Sequence, residues 1–162
     1  MATPFLSLLA FLSTAGVPAE HVRITEPDGT ILQAALVRPP PGVQAKQPVV
    51  ALHGCGGPYP DRDGTWATLL ARQGHTVLLP DSFGSRGLGP QCREKRRTVT
   101  PAGLRRTDAI AAATWLAQQP GMPAGGVALM GWSNGGGTVL ATARQAPDLP
   151  ALAARSGLTA PD

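Results

Sequence analysis

Apolar positions along the chain follow two periods, and the order in which those periods alternate implies an architecture. In "HVRITEPDGTILQAALVRPP", Val22 and Ile24 alternate with polar neighbours on one arm, as Leu32, Ala34 and Leu36 do on the other. Pro27-Asp28-Gly29 supplies turn chemistry between them, so the spacing predicts a β-hairpin. "PPPGVQAKQ" then reads as a linker, because its prolines cannot continue a ladder. "PVVALHG" (48–54), "HTVLLPDSFG" (75–84) and "GVALMG" (126–131) are continuous apolar runs that suit strands buried on both faces. After the first run, "DGTWATLLARQG" has helical spacing, with Trp66, Leu69 and Leu70 on one face and Gly74 as a stop. After the second, residues 100–121 predict a helix with Leu104, Ile110, Ala113, Trp115 and Leu116 at its apolar positions. Thr100 is its expected N-cap, and Pro101 its first helical residue. A third helix is expected from Gly135 to Ala146. Strands alternating with helices mean βαβ units: an α/β fold whose parallel sheet is covered on both faces and preceded by the hairpin.

Composition narrows the class. Apolar residues make up 43% of 162, enough for a core, while 20 Gly and 17 Pro fall between the apolar segments without a repeat period. This is a loop-rich globular chain, neither collagenous nor low in complexity. The net charge is +4, and six of the 14 Lys and Arg lie in "REKRRTVTPAGLRR" (93–106). No aromatic residues interleave with those charges, so the stretch reads as a solvated loop and helix start rather than a nucleic-acid platform. Arg86 is read as ordinary surface charge too. At the N-terminus the apolar run Phe5–Leu12 is far shorter than the ~18 residues a bilayer span needs. Val17-Pro18-Ala19 before Glu20 fits a cleavage site, so residues 1–19 are expected to be an export signal and 20–162 the domain, in a periplasmic or secreted protein. The alternative is a buried or frayed N-terminal segment of a cytoplasmic protein.

Export would make a disulfide between Cys55 and Cys92 plausible; two separate buried thiols are the alternative. The chain has no CxxC, and His21, His53 and His75 never cluster, so neither a metal nor any other cofactor is expected.

The chemistry concentrates at Gly131-Trp132-Ser133-Asn134-Gly135, a G-x-S-x-G between a strand and a helix. A serine held on so tight a turn needs glycines two residues before and after it, where a Cβ would crowd the bend. The helix behind Ser133 aims free N–H groups at developing negative charge, and the amide of Asn134 is one candidate oxyanion donor. The second is expected from "LHGCGG" (52–57), through the amide of Cys55 or Gly56. His53 opens that loop and reads as a packed ring. Cys55 lacks an elbow of its own, so Ser133 is the nucleophile candidate. A dinucleotide site would need glycine where Ser133 stands.

At "VVALHGCGG", "VLLPDSFGSRGLGPQC" and "VALMGWSNGGGTVLA" the chain resembles the serine-bearing branch of the dienelactone hydrolase family, within the α/β-hydrolases, over most of its length from the hairpin to about residue 146. The resemblance implies a hydrolase of carboxylic esters or lactones that forms an acyl-enzyme on Ser133. The name-giving members carry cysteine at the elbow and an acidic residue in the first loop, whereas this chain has Ser133 and a neutral loop. In this fold the acid and then the histidine follow the nucleophile, yet no histidine follows Ser133, and Asp148 and Asp162 are the only acids beyond it. The tail shows no strand-like run. The sequence therefore reads as the N-terminal part of such a domain, with Ser133 poorly activated. Val127–Met130 is expected at an exposed sheet edge prone to self-association. The competing reading is a non-catalytic remnant or interaction module that keeps the sheet for binding.

Overall fold

The computed structural model describes residues 17–145 and the backbone of 152–154. The chain runs β1 (Ala19–Thr25), β2 (Ile31–Val37), β3 (Lys46–Leu52), α1 (Pro60–Arg72), β4 (His75–Pro80), α2 (Leu104–Ala117), β5 (Val127–Gly131), α3 (Asn134–Gln145) and β6 (Leu152–Ala154). The strands form one sheet in the order β1-β2-β4-β3-β5-β6. β1 pairs antiparallel with β2, and β2 antiparallel with β4. β4, β3, β5 and β6 run parallel. The hairpin therefore extends a parallel sheet into a mixed one, and the α/β class expected from the periodicity is the class observed.

The three continuous runs sit in the middle of the sheet because each has apolar residues for both faces. From Pro48 to Leu52 every residue of β3 is buried. Val50 and Leu52 face a core shared with Leu78, Leu129, Leu36 and α2 residues Ala109, Ala112, Ala113 and Leu116. Ala51, one residue out of phase, joins Val37, Val77, Ala67 and Ala71 on the other face. At the hairpin turn Gly29 has φ 86°, and Thr30 N–H donates to Asp28 Oδ1 at 2.9 Å.

Three expectations are corrected. α1 turns Asp63, Ala67 and Ala71 inward, and leaves Trp66 and Leu69 43% and 48% exposed. Its alanines bring the helix close to the sheet, so the bulky side chains project from the outer face. α2 begins at Leu104, because residues 100–103 form a separate turn closed by Gly103 N–H to Thr100 O at 3.1 Å. β5 is not an edge strand over its first three residues, since Val127–Leu129 pair with Leu152–Ala154. A three-residue strand rich in alanine carries no period that a sequence pattern can register. The expected export signal lies outside the described residues but for its last three, of which Val17 packs on the α1 face and Ala19 opens β1.

The loops after β3, β4 and β5 all open at the C-terminal edge of the parallel strands, where α/β sheets place their sites. α2 anchors all three. Arg105 reaches the loops after β3 and β5, and Asp108, one turn on, holds Arg86 of the loop after β4.

Candidate functional site

Ser133 joins β5 to α3 with φ 52°, the one left-handed non-glycine residue among those described. Its neighbours explain how the chain tolerates that turn. A Cβ on Gly131 would lie 2.4 Å from the carbonyl carbon of Gly135, and one on Gly135 would lie 2.1 Å from Leu52 O. The bend can close only if both positions lack a side chain. It is then pinned by Trp132 N–H to Leu52 O at 3.1 Å, Gly135 N–H to Trp132 O at 2.8 Å and Gly137 N–H to Ser133 O at 3.0 Å. Ser133 is exposed at the apex, and Asn134 beside it is half-buried.

The 54–57 loop lies against this elbow: a Cβ on Gly54 would sit 3.8 Å from Ser133 Cβ. Gly57, at φ 87°, closes the loop through its N–H to Gly54 O at 3.2 Å. Cys55 is joined to Cys92 by a disulfide, with Cα atoms 4.8 Å apart, and Gln91 N–H donates to Cys55 O at 2.7 Å. Gly56 is exposed at the loop tip. The structure thus brings Cys55, Gly56, Ser133 and Asn134 to one edge of the sheet.

His53 is 2% exposed and has both ring nitrogens engaged. Nδ1–H donates to Gly54 O at 2.8 Å, which leaves Nε2 to accept the Ser82 N–H at 3.2 Å. Its ring meets Phe83 edge-on at 4.8 Å, and Asp81 Oδ1 stands 3.7 Å from Nε2. Burial, and then the Arg105 charge, hold its pKa below the ordinary value, so the ring is neutral and serves as a brace between the loops after β3 and β4.

Arg105 is the residue that sequence reasoning missed. It belongs to the basic stretch whose pattern predicts solvation, and Arg93 to Arg97 are indeed exposed, but Arg105 is completely buried. Its guanidinium donates to Asn134 Oδ1 and, at 2.7 Å, to His53 O, and it lies 5.1 Å over the Phe83 ring. Arg86 is also no surface charge: it is 14% exposed and bonds Glu26 at 3.0 Å and both oxygens of Asp108. A cavity of about 430 Å³ opens on the α1 side, lined by Ala51, His53, Pro58, Tyr59, Leu79 and Asp81; Ser133 does not line it. Among the described residues no group of three His, Cys, Asp or Glu side chains is arranged to hold a metal, and no helix is long and apolar enough to cross a membrane.

Comparison with known proteins sets this geometry in a family. The profile of the prolyl oligopeptidase family matches residues 63–157, more than half of the chain and the whole of the elbow. The chain belongs to that family. No curated protein matches it. Among solved structures it is similar to dipeptidyl peptidase 4 of Porphyromonas gingivalis (26% identity, TM-score 0.58), covering 81% of this chain and 19% of that one. It is similar to the α/β-hydrolase GrgF of a Penicillium species (26%, TM-score 0.62), over 79% of this chain and 42% of that one. A protein of Klebsiella pneumoniae described as a dienelactone hydrolase shares the fold (22%, TM-score 0.65) over 90% of this chain and 62% of its own length. The chain therefore spans from about a fifth to about three fifths of the structures it matches, and its architecture is that of an α/β-hydrolase.

Proposed function

We propose that the chain carries the nucleophile and oxyanion parts of a serine hydrolase acting on carboxylic esters or lactones, the type to which the dienelactone-hydrolase resemblance points. In this reading Ser133 Oγ attacks the carbonyl carbon. The N–H groups of Asn134 and of Cys55 or Gly56 receive the negative charge on the carbonyl oxygen. The Oγ proton passes to the leaving oxygen as its bond to the carbonyl carbon breaks, which frees an alcohol from an ester or opens a lactone ring, and water then cleaves the acyl–Oγ bond to give the acid and restore the Ser133 hydroxyl. The observation that carries the reading is the left-handed backbone of an exposed Ser133, kept by two glycines at which a Cβ would collide with backbone. Strain of that kind is held at sites where it serves function. The prolyl oligopeptidase match supports the same acyl-enzyme chemistry and brings in peptide amides as a second substrate class, since one of the similar structures is a dipeptidyl peptidase. The disulfide supports an oxidising compartment, as export would supply.

Deprotonation limits the step. His53 has no free nitrogen, His75 bonds Gln47 O near the opposite end of the sheet, His21 lies on β1 with three strands between it and β5, and no histidine follows Ser133. A hydroxyl without a base attacks slowly, and the reading therefore includes impaired turnover by this 162-residue chain. The test is a fluorophosphonate probe followed by mass spectrometry. Slow labelling confined to Ser133, and lost in Ser133→Ala, is expected. Rapid stoichiometric labelling would overturn the impairment, and labelling elsewhere, or none after prolonged exposure, would overturn the role of Ser133.

A further inference from the structure

The feature least explained by folding is the buried guanidinium of Arg105. Its side chain starts from the first turn of α2, has no accessible surface, and leaves Nε–H without an acceptor. Among the described residues no carboxylate forms an ion pair with it; Asp108 and Asp81 act on it from further away. Burying an unpaired cation is costly, and an apolar side chain of similar volume in an alanine-rich helix would avoid that cost. The two groups it does bond are therefore informative. One is the carbonyl of His53, which joins β3 to the 54–57 loop, and the other is the side chain of Asn134, next after Ser133. These two segments reach the site from different strands, and hold the amides proposed to form the oxyanion pocket.

We propose that Arg105 is the positioning residue of this site: one guanidinium fork sets the spacing between the Cys55–Gly56 and Asn134 amides and holds a fixed positive charge behind them. The inference rests on the hydrolase reading above. The fork matters because its two N–H directions are rigidly related, so each acceptor fixes the other's place. The charge matters because, away from solvent, it favours the anionic intermediate over the neutral substrate. Burial lowers the Arg105 pKa only to about 10, so the group stays charged throughout the neutral range.

Two measurements on the full chain test this. In hydrogen exchange, Arg105→Gln is expected to speed exchange at 54–57 and at 133–135 at least tenfold, while the central strands β3 and β4 keep wild-type protection. In phosphonylation of Ser133, the same change is expected to lower the maximal labelling rate about tenfold or more with the half-saturating probe concentration unchanged, since a developing anion is what the site would stabilise. Arg105→Lys, which keeps the charge but not the fork, should recover part of the rate and little of the protection. Unchanged exchange at both segments, a loss of protection spread evenly over the sheet, or a change confined to probe affinity would each overturn the proposal. Should Ser133 resist labelling in the wild-type chain while the two segments loosen together in Arg105→Gln, the coupling stands and the hydrolase reading falls instead.

Discussion

Replacing Glu26 by glutamine is expected to stabilise the protein above neutral pH and to remove a decline in stability expected of the wild-type between about pH 4.5 and 7. Glu26 follows β1 at the hairpin turn and is 2% exposed. It shares Arg86 with Asp108, which is wholly buried, so two carboxylates compete for one cation. Glu26 Oε1 has no donor nearby, an anomaly that disappears if that oxygen carries a proton and donates it to Asp108. Burial, and then the Asp108 hydrogen bond and charge, raise the Glu26 pKa from 4.5 to about 7 against the opposing pull of Arg86. The sign follows from the direction. Below pH 4.5 the group is neutral folded and unfolded, and its contribution is fully present. As pH rises the unfolded chain ionises first, so stability falls until the folded-state pKa is passed. A change of this size corresponds to about 3 kcal/mol, or ~6–12 °C in melting temperature for a chain of this length. Glutamine keeps the neutral shape, with an amide N–H to give Asp108 and an oxygen to accept from Arg86. Urea unfolding of both proteins from pH 4.5 to 8.5 gives the difference directly. His53, whose lowered pKa acts in the opposite sense as pH falls, is present in both proteins and cancels in the difference. Parallel curves, or a Glu26→Gln protein less stable at pH 8, would refute the protonated pair.

Three further outcomes follow from the site geometry. Gly135→Ala should cost at least about 2 kcal/mol, because its Cβ meets the Leu52 backbone; Gly56→Ala has open space there and should stay within about 0.5 kcal/mol in the same urea titration. Cys55→Ser with Cys92→Ser removes a cross-link across 37 positions and should cost about 4 kcal/mol, read as a lower urea midpoint than the oxidised wild-type; equal midpoints would mean that the bond contributes nothing.

Much of the site is legible in the sequence because glycine pattern and backbone geometry are tightly linked. Gly131 and Gly135 flank Ser133 at the spacing the bend needs, and "HGCGG" follows the strand that lies beside it. The two cysteines left two readings open, one bond or two separate buried thiols, and the fold decides for the bond by bringing their Cα atoms to 4.8 Å. The roles of Arg105 and Arg86 were not legible. An arginine looks the same in a string whether it is solvated or buried, and the bonds that distinguish the cases run to residues 22 to 60 positions away. The inward face of α1 was misjudged for a related reason: large apolar side chains mark a hydrophobic stripe, but close packing against a sheet can select alanine instead.

The order of the elements, the doubly buried strands and the elbow came from the amino-acid string, since hydrophobic period and steric permission are local properties that short segments carry with them. Strand order, the antiparallel seam between β2 and β4, the cover over β5, and the two buried arginines were decided only when distant segments met. Each depends on which surfaces and charges become neighbours, and a charge acquires its partner, and its energy, only from the medium that folding builds around it.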